Sequence, residues 1–107
     1  SVIYWSSASQ QSIVVPWTLV TSAATATAFA NAIGATSRVF SGGTDPHAAI
    51  TFVTPLFASN SFNSLRQIID VSGDGAGSAS LTAAARDAAL LAGIDQINGL
   101  PILGETG

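Results

Sequence analysis

The segment from Arg66 to Leu103 constrains the fold more than any other part of the chain. It reads "RQIIDVSGDGAGS", then "SLTAAARDAALLAG", then "INGLPIL". The near-continuous apolar run Ile68–Val71 is the mark of a strand covered on both faces. A glycine-rich turn follows, then a segment with helical periodicity. Ser80 is its expected cap, Leu81, Ala84, Ala88 and Leu91 its expected inner face, and Gly93 its stop. The last apolar run completes a strand–helix–strand unit, so the two strands are expected to be parallel and joined by a right-handed crossover.

Upstream, "SVIYWSSA" and "QSIVVPWT" are rich in β-branched and aromatic residues and are separated by a polar link. They predict an antiparallel pair, with Pro16 inside the second strand placing it at an edge. "TSAATATAFANAIGATS" predicts a short helix capped by Thr21 or Ser22, with Phe29 and Ile33 on one side and Gly34 at its end. In "SGGTDPHAAITFVTPLF", Thr44 or Asp45 caps a second helix and Pro46 takes its first position. Ile50, Val53 and Phe57 share a face, and Pro55 breaks the helix. The order predicts an α/β fold: a mostly parallel, Rossmann-like sheet flanked by helices, with an antiparallel edge strand, in one domain over residues 1–107.

Charge excludes several functions. Charged residues make up 8% of the chain, the net charge is -3 and the only basic side chains besides His47 are Arg38, Arg66 and Arg86. No basic footprint for nucleic acid exists. The absence of cysteine rules out disulfides, thiolate metal sites and a cysteine nucleophile. No apolar run approaches the roughly 20 residues of a membrane-spanning helix, and no basic leader segment is visible. The hydroxyl- and alanine-rich surface suits an extracytoplasmic or secreted protein.

The two glycine loops, "SGGTDPH" and "VSGDGAGS", are both expected beyond the carboxyl ends of parallel strands, where α/β sheets bind ligands. As a phosphate cradle, Val71–Ser78 lacks a Gly-Lys-Ser/Thr ending and places Asp74 against the anion. As a nucleophile turn, it offers Ser72 with His47 but not the Gly-x-Ser-x-Gly spacing, and a first-turn histidine is expected to be solvated. As a metal loop, it projects Asp70, Ser72 and Asp74 to one side of the strand, with Thr44 adding a hydroxyl; these oxygens suit Mg²⁺, Mn²⁺ or Ca²⁺. An ordinary strand-to-helix turn also needs Ser, Gly and Asp. Asp70, within an apolar strand, is expected to accept a hydrogen bond from a neighbouring loop if buried. Trp5 and Trp17 read as core or interface aromatics, and Arg66, Arg86, Asp87 and Asp95 as solvated ends of elements.

"SGGTDPHAAI", "RQIIDVSGDG" and "ARDAALLAGIDQINGLPIL" together resemble von Willebrand factor type A domains, and most closely an uncharacterised bacterial family of that kind. The resemblance implies a metal-ion-dependent adhesion site in which Thr44 is the second-loop threonine and Asp74 the aspartate after the fourth strand. Ser72 is an additional candidate ligand, and Gly42, Gly43, Gly73 and Gly75 shape the two loops. The family's Asp-x-Ser-x-Ser loop is absent. On this resemblance the chain is a fragment lacking the first strand and helix, which would leave a slot between "SVIYWSS" and "RQIIDVS". Any Mg²⁺ or similar cation would then be held weakly. The implied function is a non-enzymatic, adhesion-type protein-binding module; the alternative is a structural protein that self-associates through the open slot.

Overall fold

The computed structural model describes residues 1–103. In chain order the elements are β1 (Val2–Trp5), β2 (Gln11–Val15), α1 (Ala23–Gly34), α2 (Pro46–Val53), the single turn α3 (Leu56–Ser59), β3 (Ile68–Gly73), α4 (Ala79–Leu91) and β4 (Gln96–Pro101). The fold is mixed α/β. The strands form two separate two-stranded sheets: β1 pairs with β2 antiparallel, and β3 with β4 parallel. Among the described residues, the expected mostly parallel sheet is thus met in β3–β4 alone, because no backbone ladder joins β1 to β3.

Local signals place most ends. Ser22 caps α1 in a reciprocal box: its hydroxyl accepts from Thr25 N at 3.1 Å, and the Thr25 hydroxyl accepts from Ser22 N at 2.9 Å. Pro46 occupies the first turn of α2 after Asp45, and the helix ends at Val53, before Pro55. Gly93, at φ +109°, ends the α4 turn in a conformation that side chains rarely adopt. Strand β2 stops at Val15, so Pro16 follows the strand rather than lying within it.

Packing overrides other expectations. The core is Ile50 and Val53 of α2, Ile69 of β3, Ala89 of α4 and Ile94, with Ile3, Phe57, Val71 and Ala85 against it. Helix α4 therefore turns Ala85 and Ala89 inward. Leu81 and Leu91, expected on the inner face, are 51% and 91% exposed. The reason is approach distance: the small Ala89, 1% exposed, lets α4 lie close to α2. The cap of α4 is Ser78, two residues before the expected Ser80; its hydroxyl accepts from Leu81 N at 3.2 Å.

Strand β3 is covered on one face only. Ile69 and Val71 point to the core, whereas Ile68, Asp70 and Ser72 are exposed. The open face carries a relay of side chains: Arg66 Nη2 donates to Gln96 Oε1 (2.6 Å), Gln96 Nε2 to Asn98 Oδ1 (2.7 Å), and Asn98 Nδ2 to Asp70 Oδ1 (2.8 Å). Asp70 is thus partnered across the sheet, not by a loop. Arg86 pairs with Asp87 at 2.9 Å on the surface, and Asp95 Oδ2 accepts from Gln67 N at 2.7 Å. Helix α1 buries no residue, and its main support among the described elements is β2. Among the described residues, no helix is long and apolar enough to cross a membrane.

Candidate functional site

Both glycine loops sit at one end of the molecule, and they are held by different means. The first is tied to the end of β1. Ser6, a buried polar residue, donates its hydroxyl to Gly43 O at 2.7 Å, and Gly43 N donates to Ser7 Oγ at 2.7 Å. Asp45 N donates to Ser6 O at 3.0 Å. Gly42 lies so near Ser7 and Gln10 that a Cβ there would collide with Ser7 Oγ and Gln10 Oε1. Ser6 and Ser7 are the anchors that sequence reasoning missed. The pair of hydroxyls directly after the aromatic end of the strand, "WSS", was the available signal.

The second loop is seated by shape. A Cβ on Gly75 would strike Thr44 Oγ1, with Thr44 Cβ and Cγ2 at 3.2 and 3.3 Å; one on Gly77 would meet Pro46 Cδ at 2.5 Å. Only glycine permits this approach. Thr44 therefore lies directly against the Asp74–Gly75 turn, while Asp74 itself is exposed, as is Ser72 on β3. Gly73 faces Trp5, whose ring atoms Cζ2 and Cη2 would be 3.3 and 3.4 Å from a Cβ there.

His47 is not the solvated residue expected at a first helical turn. Its Nδ1 is buried without a hydrogen-bond partner among the described residues, 4.0 Å from Asp45 Oδ1.

Thr44 and Asp74 border a cleft of about 840 Å³. Its walls are Ser1–Ser6 on the β1 side and Ile68–Asp74 on the β3 side, and α2 contributes Ile50 and Val53. Trp17 lines it as well and packs edge-on to Phe57, with ring centroids 5.1 Å apart. Arg38 is the cleft's cation; Asp70 and Asp74 are its acids.

The donor set at the cleft end is oxygen only: the Asp74 carboxylate, the Thr44 hydroxyl and, on the same strand end, Ser72. In kind this suits a hard cation, which takes about six oxygens; in number it falls short, so water or a partner would have to supply most of the shell. Among the described residues, no three His, Asp or Glu side chains gather where an ion could be held.

No curated protein and no solved structure matches the chain significantly. A family match spans residues 1–107, the whole sequence. The chain belongs to the family described as "Protein of unknown function (DUF1194)".

Proposed function

We propose that this chain is a non-enzymatic protein-binding module, a von Willebrand factor A-like domain of the Rossmann-like fold class, that engages a protein partner at the end of the cleft. Thr44 and Asp74 would hold a divalent cation there, with Ser72 as a further hydroxyl. Of the loop glycines, Gly75 lets the second loop rest on Thr44, while Gly42 and Gly43 let the first lie against Ser7 and Gly73 leaves room for Trp5. The bound cation would supply positive charge that a partner's carboxylate completes, leaving specificity to the surrounding surface. The observation that carries this reading is the seating of Thr44 on the Asp74–Gly75 turn, which brings the two oxygen-bearing loops together at the mouth of a cleft. The low-charge, hydroxyl-rich composition favours an extracytoplasmic setting for it.

Native mass spectrometry with added Mg²⁺ or Mn²⁺ tests the cation. One ion per chain is expected, lost on Asp74→Ala and weakened on Thr44→Ala. A chain that takes up no ion, or keeps it after Asp74→Ala, removes the cation from the reading.

A structural, self-assembling role is the second reading. It is favoured by the exposed Leu65, Leu91 and Leu103 and by the low charge. Concentration-dependent oligomers in sedimentation, reduced by Leu91→Ser, would support it; a monomer at all concentrations would end it.

A further inference from the structure

We infer that the Asn98–Gly99 bond in β4 is a self-modification site under conformational control. Pairing with β3 restrains it, and opening of the pair lets the Asn98 carboxamide convert to a carboxylate that hinders reclosure. The inference is independent of the cation and of the protein-binding reading.

The reaction follows from the dipeptide. The chain has four asparagines, followed by Ala32, Ser61, Ser64 and Gly99. Glycine carries no Cβ, so after Asn98 alone is the next backbone nitrogen sterically free to reach the carboxamide carbon. That nitrogen bonds to Asn98 Cγ, the Cγ–Nδ2 bond breaks, and ammonia leaves with the proton of the Gly99 amide. Water then opens the cyclic imide at either carbonyl, giving an aspartyl or an isoaspartyl residue. Water is the sole co-reactant, and nothing is oxidised or reduced.

The parallel pair supplies the restraint. Ring closure needs rotation of both the Asn98 side chain and the backbone that carries Gly99 N. Strand β4 fixes the backbone from Gln96 to Pro101. Two hydrogen bonds hold the carboxamide: Oδ1 accepts from Gln96 Nε2 at 2.7 Å, and Nδ2 donates to Asp70 Oδ1 at 2.8 Å. Gly99 itself answers no packing demand. A glycine inside a strand ordinarily marks a bulge or a close approach, yet the register runs unbroken past it and a Cβ there would meet nothing within 4 Å. What glycine contributes at this position is a reactive amide.

Register sets the consequence. Asn98 stands opposite Asp70. After conversion the donor to Asp70 is gone, and two carboxylates face each other across the pair, which disfavours it. The isoaspartyl form also lengthens the backbone by one carbon and displaces the register from Gly99 onward. Opening and modification therefore reinforce each other in one direction.

The full chain is incubated in mildly alkaline buffer, with and without denaturing urea, and peptide mapping separates the asparaginyl, aspartyl and isoaspartyl forms of position 98. In urea, Asn98 should convert ahead of Asn31, Asn60 and Asn63. In native buffer its conversion should be slower by about tenfold or more, as reaction through a minor open state requires. Gly99→Ala should suppress conversion in both conditions while the chain stays folded. Asn98→Asp stands for the aspartyl product: amide exchange in Ile68–Gly73 should quicken about two- to fivefold, the range for like charges facing across a strand pair, and adding Asp70→Asn should reverse this.

Equal rates in native and denaturing buffer would overturn control by the pair. Absence of conversion at Asn98 in urea, or undiminished conversion in Gly99→Ala, would overturn the site. An Asn98→Asp chain with unchanged exchange, or one that Asp70→Asn does not rescue, would overturn the hindrance to reclosure.

Discussion

The two sheets have the same number of strands and are specified by opposite means. In the hairpin, strands β1 and β2 lie close in sequence, and bonds within the turn hold the link: Ser6 N donates to Gln10 O and Gln10 N to Ser7 O, both at 3.0 Å. Its register slips once, between Val2 and Ile3. The parallel pair keeps an unbroken register from Ile68 opposite Gln96 to Gly73 opposite Pro101, yet its strands meet only after the whole of α4 has crossed over. A hairpin can be assembled from neighbours, whereas a parallel pair has to wait for its crossover helix to find a seat. In this molecule that seat is α2, which also touches β1 and β2. The comparison teaches that α2 is the joint, and that the cleft exists because each sheet packs on this helix instead of on the other sheet.

The most severe way to break that arrangement is Ile50→Ala. Ile50 is 3% exposed at the centre of the core, and truncating such a residue costs about 2–5 kcal/mol. Urea unfolding should show the loss, and amide exchange should show hairpin and parallel pair losing protection together. If the parallel pair kept its protection while the hairpin lost it, α2 would not be the common support.

Gly75→Val acts on the contrast between the loops. The added side chain would drive the second loop off Thr44, and overpacking of this kind costs about 1–3 kcal/mol. The bonds from Ser6 and Ser7 to Gly43 should survive, since they belong to the hairpin side. Urea unfolding gives the cost, and nuclear magnetic resonance shifts confined to residues near Thr44 and Asp74 would confirm that the two loops are anchored separately.

The smallest effect sharpens the account of the crossover helix. Ser78→Ala should cost about 0.5–2 kcal/mol through the lost cap, and Ser80→Ala should stay within about 0.5 kcal/mol. Thermal melts of the two variants suffice. Equal losses would return the start of the helix to Ser80.

Much of the local structure was legible in the sequence because its signals act over a few residues. Ser22, Pro46, Pro55 and Gly93 each govern their own turn, and the β-branched and aromatic residues of "SVIYWSS" and "QSIVVPW", with the polar link between them, mark the hairpin. The inner face of α4 was not legible. In an alanine-rich helix the stripe through Leu81, Ala84, Ala88 and Leu91 and the stripe through Ala85 and Ala89 are both apolar, so periodicity cannot choose between them. Close approach to α2 chooses the smaller residues. The second covered face expected for β3 was likewise an inference from apolar content, and the relay from Arg66 to Asp70 occupies that face instead.

The candidate site divides along the same line. The sequence by itself determined the two glycine loops, the oxygen chemistry of Thr44, Ser72 and Asp74, and the exclusion of thiolate chemistry, since these follow from residue type and short spacing. Only the tertiary structure decided that Thr44 rests on Gly75, that Ser6 and Ser7 hold the first loop, that Trp5 lies over Gly73, and that β1 and β3 border one cleft. These contacts join residues far apart in the chain, and their geometry is settled by how side chains pack on α2, which no local pattern encodes.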